Sequence, residues 1–224
     1  MSKIEQLRQD WRSIADEFPR VVLANSLGLE DMVLLDCAAQ LGLPVRVLVL
    51  ETGRLHDETL TLLAQASDRY AQLDWTVTQP DPEALSQFIE IHGIDGFYNS
   101  VDARKTCCQA RKVKPLNREL AQADAWVTGQ RQAQSSTRAT LAFREHDSAH
   151  QIAKFNPLAQ WSLNEVWDYI HSHQVPYNPL HDQHYPSIGC QPCTRAIAAG
   201  EDIRAGRWWW EQPEGKECGL HPIR

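Results

Sequence analysis

The sequence predicts an α/β fold, a twisted parallel sheet of about five strands flanked by helices. Three observations carry that expectation. Continuous apolar runs rich in Val and Leu alternate with stretches of helical periodicity, the pattern of strands buried on both faces. Small polar turns containing Gly follow three of the strand candidates, at Ser26-Leu27-Gly28, Glu51-Thr52-Gly53 and Gly129-Gln130-Arg131. With 224 residues, 42% of them hydrophobic, the chain is long enough to bury a sizeable core.

Strands are read over residues 20–25, 45–51, 74–78, 125–128 and, with a weaker pattern, 152–156. Helices are read over residues 4–17, 30–41, 57–70, 82–92 and 111–122. Stop and start chemistry agrees: Asp81 before Pro82 and Glu83 is an N-cap with proline at the first helical position. Ser162 and Glu165 form a capping box that opens a helix running to residue 173. Right-handed crossovers join the strands. From Val175 the texture changes to PYNPLHDQHYPSIGCQPCTR, which something other than an apolar core must hold. The last stretch is read as a short basic helix with Arg204 and Arg207, then Trp208-Trp209-Trp210 and the tail GKECGLHPIR. The tryptophans are read as packing residues, because large apolar rings need burial.

Lys and Arg number 22 against 29 Asp and Glu, a net charge of −7, which argues against bulk attraction to nucleic acid and leaves room for a local basic pocket. No stretch approaches the roughly 20 apolar residues of a membrane helix, and residues 1–10 are charged rather than signal-like. The expectation is a soluble, cytoplasmic protein with no membrane and no nucleic-acid partner. A homo-oligomer remains open.

In an open parallel sheet, ligands sit beyond the carboxyl ends of the strands. Ser26-Leu27-Gly28-Leu29-Glu30-Asp31 joins a strand to a helix, where free N–H groups and the helix dipole can hold a phosphate. An ordinary turn, with Ser26 helping to cap, is the plainer reading. Three such exits on one sheet edge favour an anionic ligand.

Six cysteines without a signal-like start point away from disulfides. Four fall in two tight pairs, Cys107-Cys108 and Cys190-Cys193, a grouping that suits a metal centre. Adjacent cysteines fit a larger iron–sulfur cluster better than a single zinc ion, and both remain open on spacing alone. Lys112 follows Cys108 by four residues and shares its face if the helix has begun there; a solvated surface lysine is the alternative. Arg204 and Arg207, one helical turn apart, suit sulfate or phosphate oxygens or else form a solvated basic face. Cys37, within an apolar run, reads as a core thiol. Cys218, in Glu217-Cys218-Gly219-Leu220-His221, is a candidate nucleophile near basic groups, against an inert terminal thiol.

Together these segments resemble the assimilatory sulfonucleotide reductases, and within them the adenylylsulfate (APS) reductases that carry a [4Fe-4S] cluster. The resemblance runs through SLGLED, ETGRLHDET, CCQARKVKPL, TGQRQAQSSTR, CQPC, RAGRWWWE and ECGLH, in order along nearly the whole chain. It implies an adenine nucleotide α-hydrolase-like sheet, with residues 1–174 a nucleotide-binding α/β domain and 175–224 a cluster-completing, catalytic extension of it. Ser26, Gly28 and Glu30 then match a modified pyrophosphate-binding loop, with Thr52 and Gly53 near the nucleotide. Gly129, Arg131 and Arg138 match the fourth-strand substrate site. Cys107, Cys108, Cys190 and Cys193 match the ligands of the [4Fe-4S] cluster, and Lys112 the lysine between cluster and substrate. Arg204, Arg207 and His221 match groups facing the phosphosulfate, and Cys218 the nucleophile. Two departures, Glu51 where the family commonly has Asp and Asp57 where Pro is frequent, touch no reacting group. The implied activity is reduction of APS to sulfite and AMP through an S-sulfocysteine, with thioredoxin or a glutaredoxin-like dithiol as reductant. The alternatives are the phosphorylated substrate PAPS, an ATP-dependent ligase or sulfurtransferase on the same sheet, and a non-catalytic nucleotide sensor.

Overall fold

The computed structural model describes residues 2–134 and 141–212. Its elements run α1 (Lys3–Glu17), β1 (Val21–Ala24), α2 (Leu29–Gln40), β2 (Val45–Leu50), α3 (Asp57–Arg69), β3 (Asp74–Thr78) and α4 (Pro82–His92). They continue with α5 (Val101–Cys108), a π-helical turn (Gln109–Val113), α6 (Lys114–Leu120), β4 (Ala125–Val127), β5 (Arg144–Asp147), β6 (Ile152–Phe155) and α7 (Leu163–Ser172). The sheet has six strands in the order β3-β2-β1-β4-β6-β5. β1 pairs in parallel with β2 and β4, and β4 with β6. The antiparallel edge strand β5 is an addition to the expected set; its sequence, REHD, lacks the apolar run by which buried strands are recognised. Among the described residues no helix is long and apolar enough to cross a membrane.

The chain forms two compact units. The first comprises Met1–Val49, Glu58–Thr76 and Glu119–Asn178. Its core is conventional: Leu7, Trp11 and Ile14 of α1, the inner residues of β1 and β2, and almost all of α2 are buried together. Helix α2 carries little polar periodicity because it is enclosed on nearly every side. Asp36, one of its two buried carboxylates, accepts hydrogen bonds from Tyr70 (3.0 Å), Tyr169 (2.9 Å) and Gln40 (2.7 Å), which makes its burial tolerable. Cys37 is buried here as expected, and burial pushes its thiol up to about 12. The capping box of Ser162 and Glu165 opens α7, and Lys3 reaches the same carboxylate at 2.9 Å.

The second unit comprises Leu50–Asp57, Val77–Arg118 and Pro179–Arg224. Asp81 caps α4 through the Ala84 N–H (3.0 Å), with Pro82 in the first turn. Its apolar nucleus is small: Phe88, Phe97, Trp208 and three cysteines. Residues 111–122, expected to begin a helix, instead continue one that starts at Val101 and widens into the π turn. The expected basic helix around Arg204 is absent. Residues 203–210 form turns and one isolated bridge, Thr194 to Arg207. Three consecutive tryptophans, with Gly206 seated where a Cβ would overlap the Arg195 carbonyl, favour that folded-back turn over a helix.

Candidate functional site

In the first unit the loop from β1 to α2 is built around Asp31. Its carboxylate accepts the Ser26 N–H (2.8 Å) and Ser26 hydroxyl (2.6 Å) on one oxygen, and the Gly129 N–H (3.0 Å) on the other. One side chain therefore fixes two strand exits. Burial pushes Asp31 up to about 6, against the opposing pull of its Ser26 hydrogen bonds. Gly129 is obligatory here, because a Cβ would overlap Asp31 and Glu30. Leu27 sits at φ +63, a conformation bulky residues seldom take, held by its N–H donating to Asn25 Oδ1 at 2.7 Å. Ser26 does not cap α2. Gly28 occupies the N-cap with no side-chain hydrogen bond, so the first-turn N–H groups keep their capacity for an anion. Glu30 pairs with Arg131 at 2.7 Å; that guanidinium is buried and also donates to the Trp161 carbonyl at 3.3 Å.

In the second unit one cavity is lined by all four paired cysteines, Cys107, Cys108, Cys190 and Cys193. Five cations share its wall: Arg54, Arg104, Arg111, Lys112 and Arg207. The π turn directly after Cys108 carries Arg111 and Lys112, and such wider turns often mark functional positions in helices. Thr52 stands 3.3 Å from the Cys190 sulfur, and its carbonyl accepts from Arg111 Nη1 at 2.6 Å. Gly53, at φ +68, leaves room for that guanidinium. The thiols differ. Burial pushes Cys193 up to about 12 and raises Cys107, whereas Lys112, the Thr52 hydroxyl and Arg207 outweigh burial at Cys190 and lower it.

Among the described residues no three His, Cys, Asp or Glu groups converge as ligands of a single metal ion. The four sulfurs instead surround a shared space. Three buried donors on its wall, Arg111 Nε, Arg207 Nε and Trp208 Nε1, have no hydrogen-bond partner there, an unusual density of unmet donors. Arg207 stacks 4.8 Å from the Trp208 ring, and Gly189 leaves room for its guanidinium. Arg204 does not line this cavity; the convergence expected from a shared helix fails with the helix. Trp208 is buried, whereas Trp209 is 47% exposed and only partly a packing residue.

Arg138, Cys218 and His221 lie outside the described residues. Sequence reasoning missed Asp31, Arg104 and Arg111. Each left a signal: Asp31 in the first turn after a Ser-x-Gly exit, Arg104 four residues before Cys108, and Arg111 beside Lys112.

Residues 20–196 match the phosphoadenosine phosphosulfate reductase domain. An adenosine 5′-phosphosulfate reductase of Allochromatium vinosum is 54% identical over 93% of this chain and 81% of its own. One of Burkholderia cepacia is 49% identical over 98% of this chain and 88% of its own. Among solved structures, a phosphoadenylyl-sulfate reductase from Candida auris superposes with a TM-score of 0.71 at 27% identity, covering 88% of this chain and 91% of its own. An NMN synthetase from Francisella tularensis, 12% identical over 79% of this chain and 72% of its own, shares the fold at a TM-score of 0.56.

Proposed function

The chain belongs to the phosphoadenosine phosphosulfate reductase domain family and is a sulfonucleotide reductase; from that premise we propose that it reduces APS to sulfite and AMP in sulfate assimilation, with Cys218 as nucleophile. The observation that carries this reading is the quartet of cysteines from two separate segments around one cation-walled cavity.

The Cys218 thiolate attacks the sulfur of APS, the sulfur–oxygen bond to the nucleotide phosphate breaks, and AMP leaves with the electron pair. The sulfo group remains as S-sulfocysteine. A thioredoxin-like dithiol then attacks the Cys218 sulfur, sulfite departs with the bonding pair, and the second thiol resolves the mixed disulfide. The dithiol supplies two electrons and restores Cys218.

The loop of Ser26, Gly28 and Glu30 offers the nucleotide phosphate the first-turn N–H groups of α2, while the N–H groups of Ser26 and Gly129 hold Asp31 and so fix that loop. Arg131 fixes Glu30, and Thr52 and Gly53 shape the wall beside Cys190. Lys112 and Arg207 stabilise charge on the sulfonyl and phosphate oxygens, and Arg138, Arg204 and His221 are assigned to the same anion by family resemblance alone. The donor set fits a [4Fe-4S] cluster held by Cys107, Cys108, Cys190 and Cys193: four sulfurs around a shared cavity, and buried donors suited to sulfur acceptors. Bound there, a cluster supplies compact charge and a cross-link between two segments. Thiols kept reduced suit a cytoplasmic setting.

PAPS is the second reading, favoured by the domain family and by the Candida auris structure. Sulfite release from APS and PAPS at equal concentration, with thioredoxin and its reductase, separates the two. Faster turnover of APS is expected; faster PAPS turnover supports the second reading, and no sulfite from either defeats both.

A further inference from the structure

We propose that Arg104 and Glu211 are positioning residues, whose ion pair ties the segment leading to Cys218 to the helix bearing Cys107 and Cys108 and sets the point from which that sulfur reaches the nucleotide. The inference rests on the assignment of Cys218 as nucleophile.

The pair is fully enclosed: the Arg104 side chain is 0% exposed and that of Glu211 3%. It is bidentate, with Nε donating to one carboxylate oxygen at 2.9 Å and Nη2 to the other at 2.7 Å. Such a fork fixes direction as well as distance. The guanidinium also lies 4.6 Å from the Trp208 ring centroid. The guanidinium also faces Cys108. The same side chain thus faces a cysteine of the quartet and the carboxylate of the outgoing chain.

Residues 194–212 contain no helix or strand beyond the bridge of Thr194 and Arg207, so regular structure does not hold this stretch. Turn hydrogen bonds hold it instead, and those nearest the outgoing end run from the Trp208 N–H to the Cys193 carbonyl (3.1 Å) and from the Glu211 N–H to the Trp208 carbonyl (2.8 Å). Trp208 adopts φ +41 to make that turn. A buried ion pair adds little stability over well-packed apolar residues, so what this one adds is orientation. Cys218 follows Glu211 by seven residues, a chain that spans at most about 25 Å when extended. Its anchor therefore sets the effective concentration of the thiol at the nucleotide.

The test is the single-turnover rate of S-sulfonation of Cys218 in iron-replete protein at saturating APS without dithiol, alongside AMP affinity and iron and sulfide content. Glu211→Gln is expected to slow sulfonation about tenfold with AMP affinity and cluster content unchanged. Two glycines inserted between Gln212 and Pro213, which leave the pair intact, are expected to slow it comparably and to add little on top of Glu211→Gln. An unchanged rate in Glu211→Gln overturns the proposal, as does a slower rate matched by equal losses of AMP affinity or iron. If Glu211→Gln does not fold, an unchanged rate in the insertion variant overturns it. No adduct in the wild-type protein defeats the Cys218 assignment instead.

Discussion

The two units hold their functional residues by different means. In the first, the β1–α2 loop stands on a sheet and an enclosed helix, and one carboxylate, Asp31, locks it to the exit of β4. In the second, residues 179–212 rest on single-turn helices, stacked cations and aromatic rings, and thiols around a cavity. A nucleotide phosphate asks for fixed backbone donors, which a rigid sheet edge supplies. A site built from cysteines can use its own bound group as the missing core.

That contrast is broken most sharply by removing one thiol. Cys193→Ser should bring iron and sulfide content to background and abolish sulfite formation, and limited proteolysis should then cut first within residues 179–212. Retained iron with full activity would show that the second unit needs no cross-link. Next in size, Gly129→Ala places a Cβ against Asp31 and Glu30, and overpacking of about 1–3 kcal/mol should weaken AMP binding roughly tenfold, measured calorimetrically, with iron content intact.

A smaller effect follows from Asp31. Its carboxyl is raised to about 6 by burial, so below that pH it gains a proton and offers a poorer acceptor to Ser26 and Gly129. AMP affinity should fall as pH drops through about 6, and Asp31→Asn should flatten that limb. Because its folded pKa lies above the unfolded value of about 3.9, ionisation of this group reduces folding stability as pH rises from about 4 through 6. A loss of affinity on acidification therefore runs opposite to its contribution to stability. Smallest of all, Trp209→Ala at an exposed ring should shift unfolding by less than about 0.5 kcal/mol and leave sulfite formation unchanged.

The first unit was largely legible because burial writes itself into periodicity: the runs at 20–25, 45–51 and 125–128 became β1, β2 and β4. Strand β5 escaped because an edge strand of charged residues carries no such run. In the second unit the cysteines stood out by type and spacing, and all four lie on the wall of one cavity. The turn at Arg204–Trp208 was misjudged as a helix because local spacing cannot register the ties to Arg195 and Cys193 that fold it back. Asp31 and Arg104 were passed over for a related reason. A charged residue at a helix start or beside a cysteine reads as a solvated face until its buried partners, Gly129 and Glu211, are in view.

Mass spectrometry of the protein mixed with APS, with no dithiol present, bears most directly on the chemistry. One sulfo group should appear per chain, confined to the peptide containing Cys218, together with one equivalent of AMP, and the Cys218→Ser protein should form neither. Sulfite released over many turnovers by Cys218→Ser, or a sulfo group on another residue, would contradict the account.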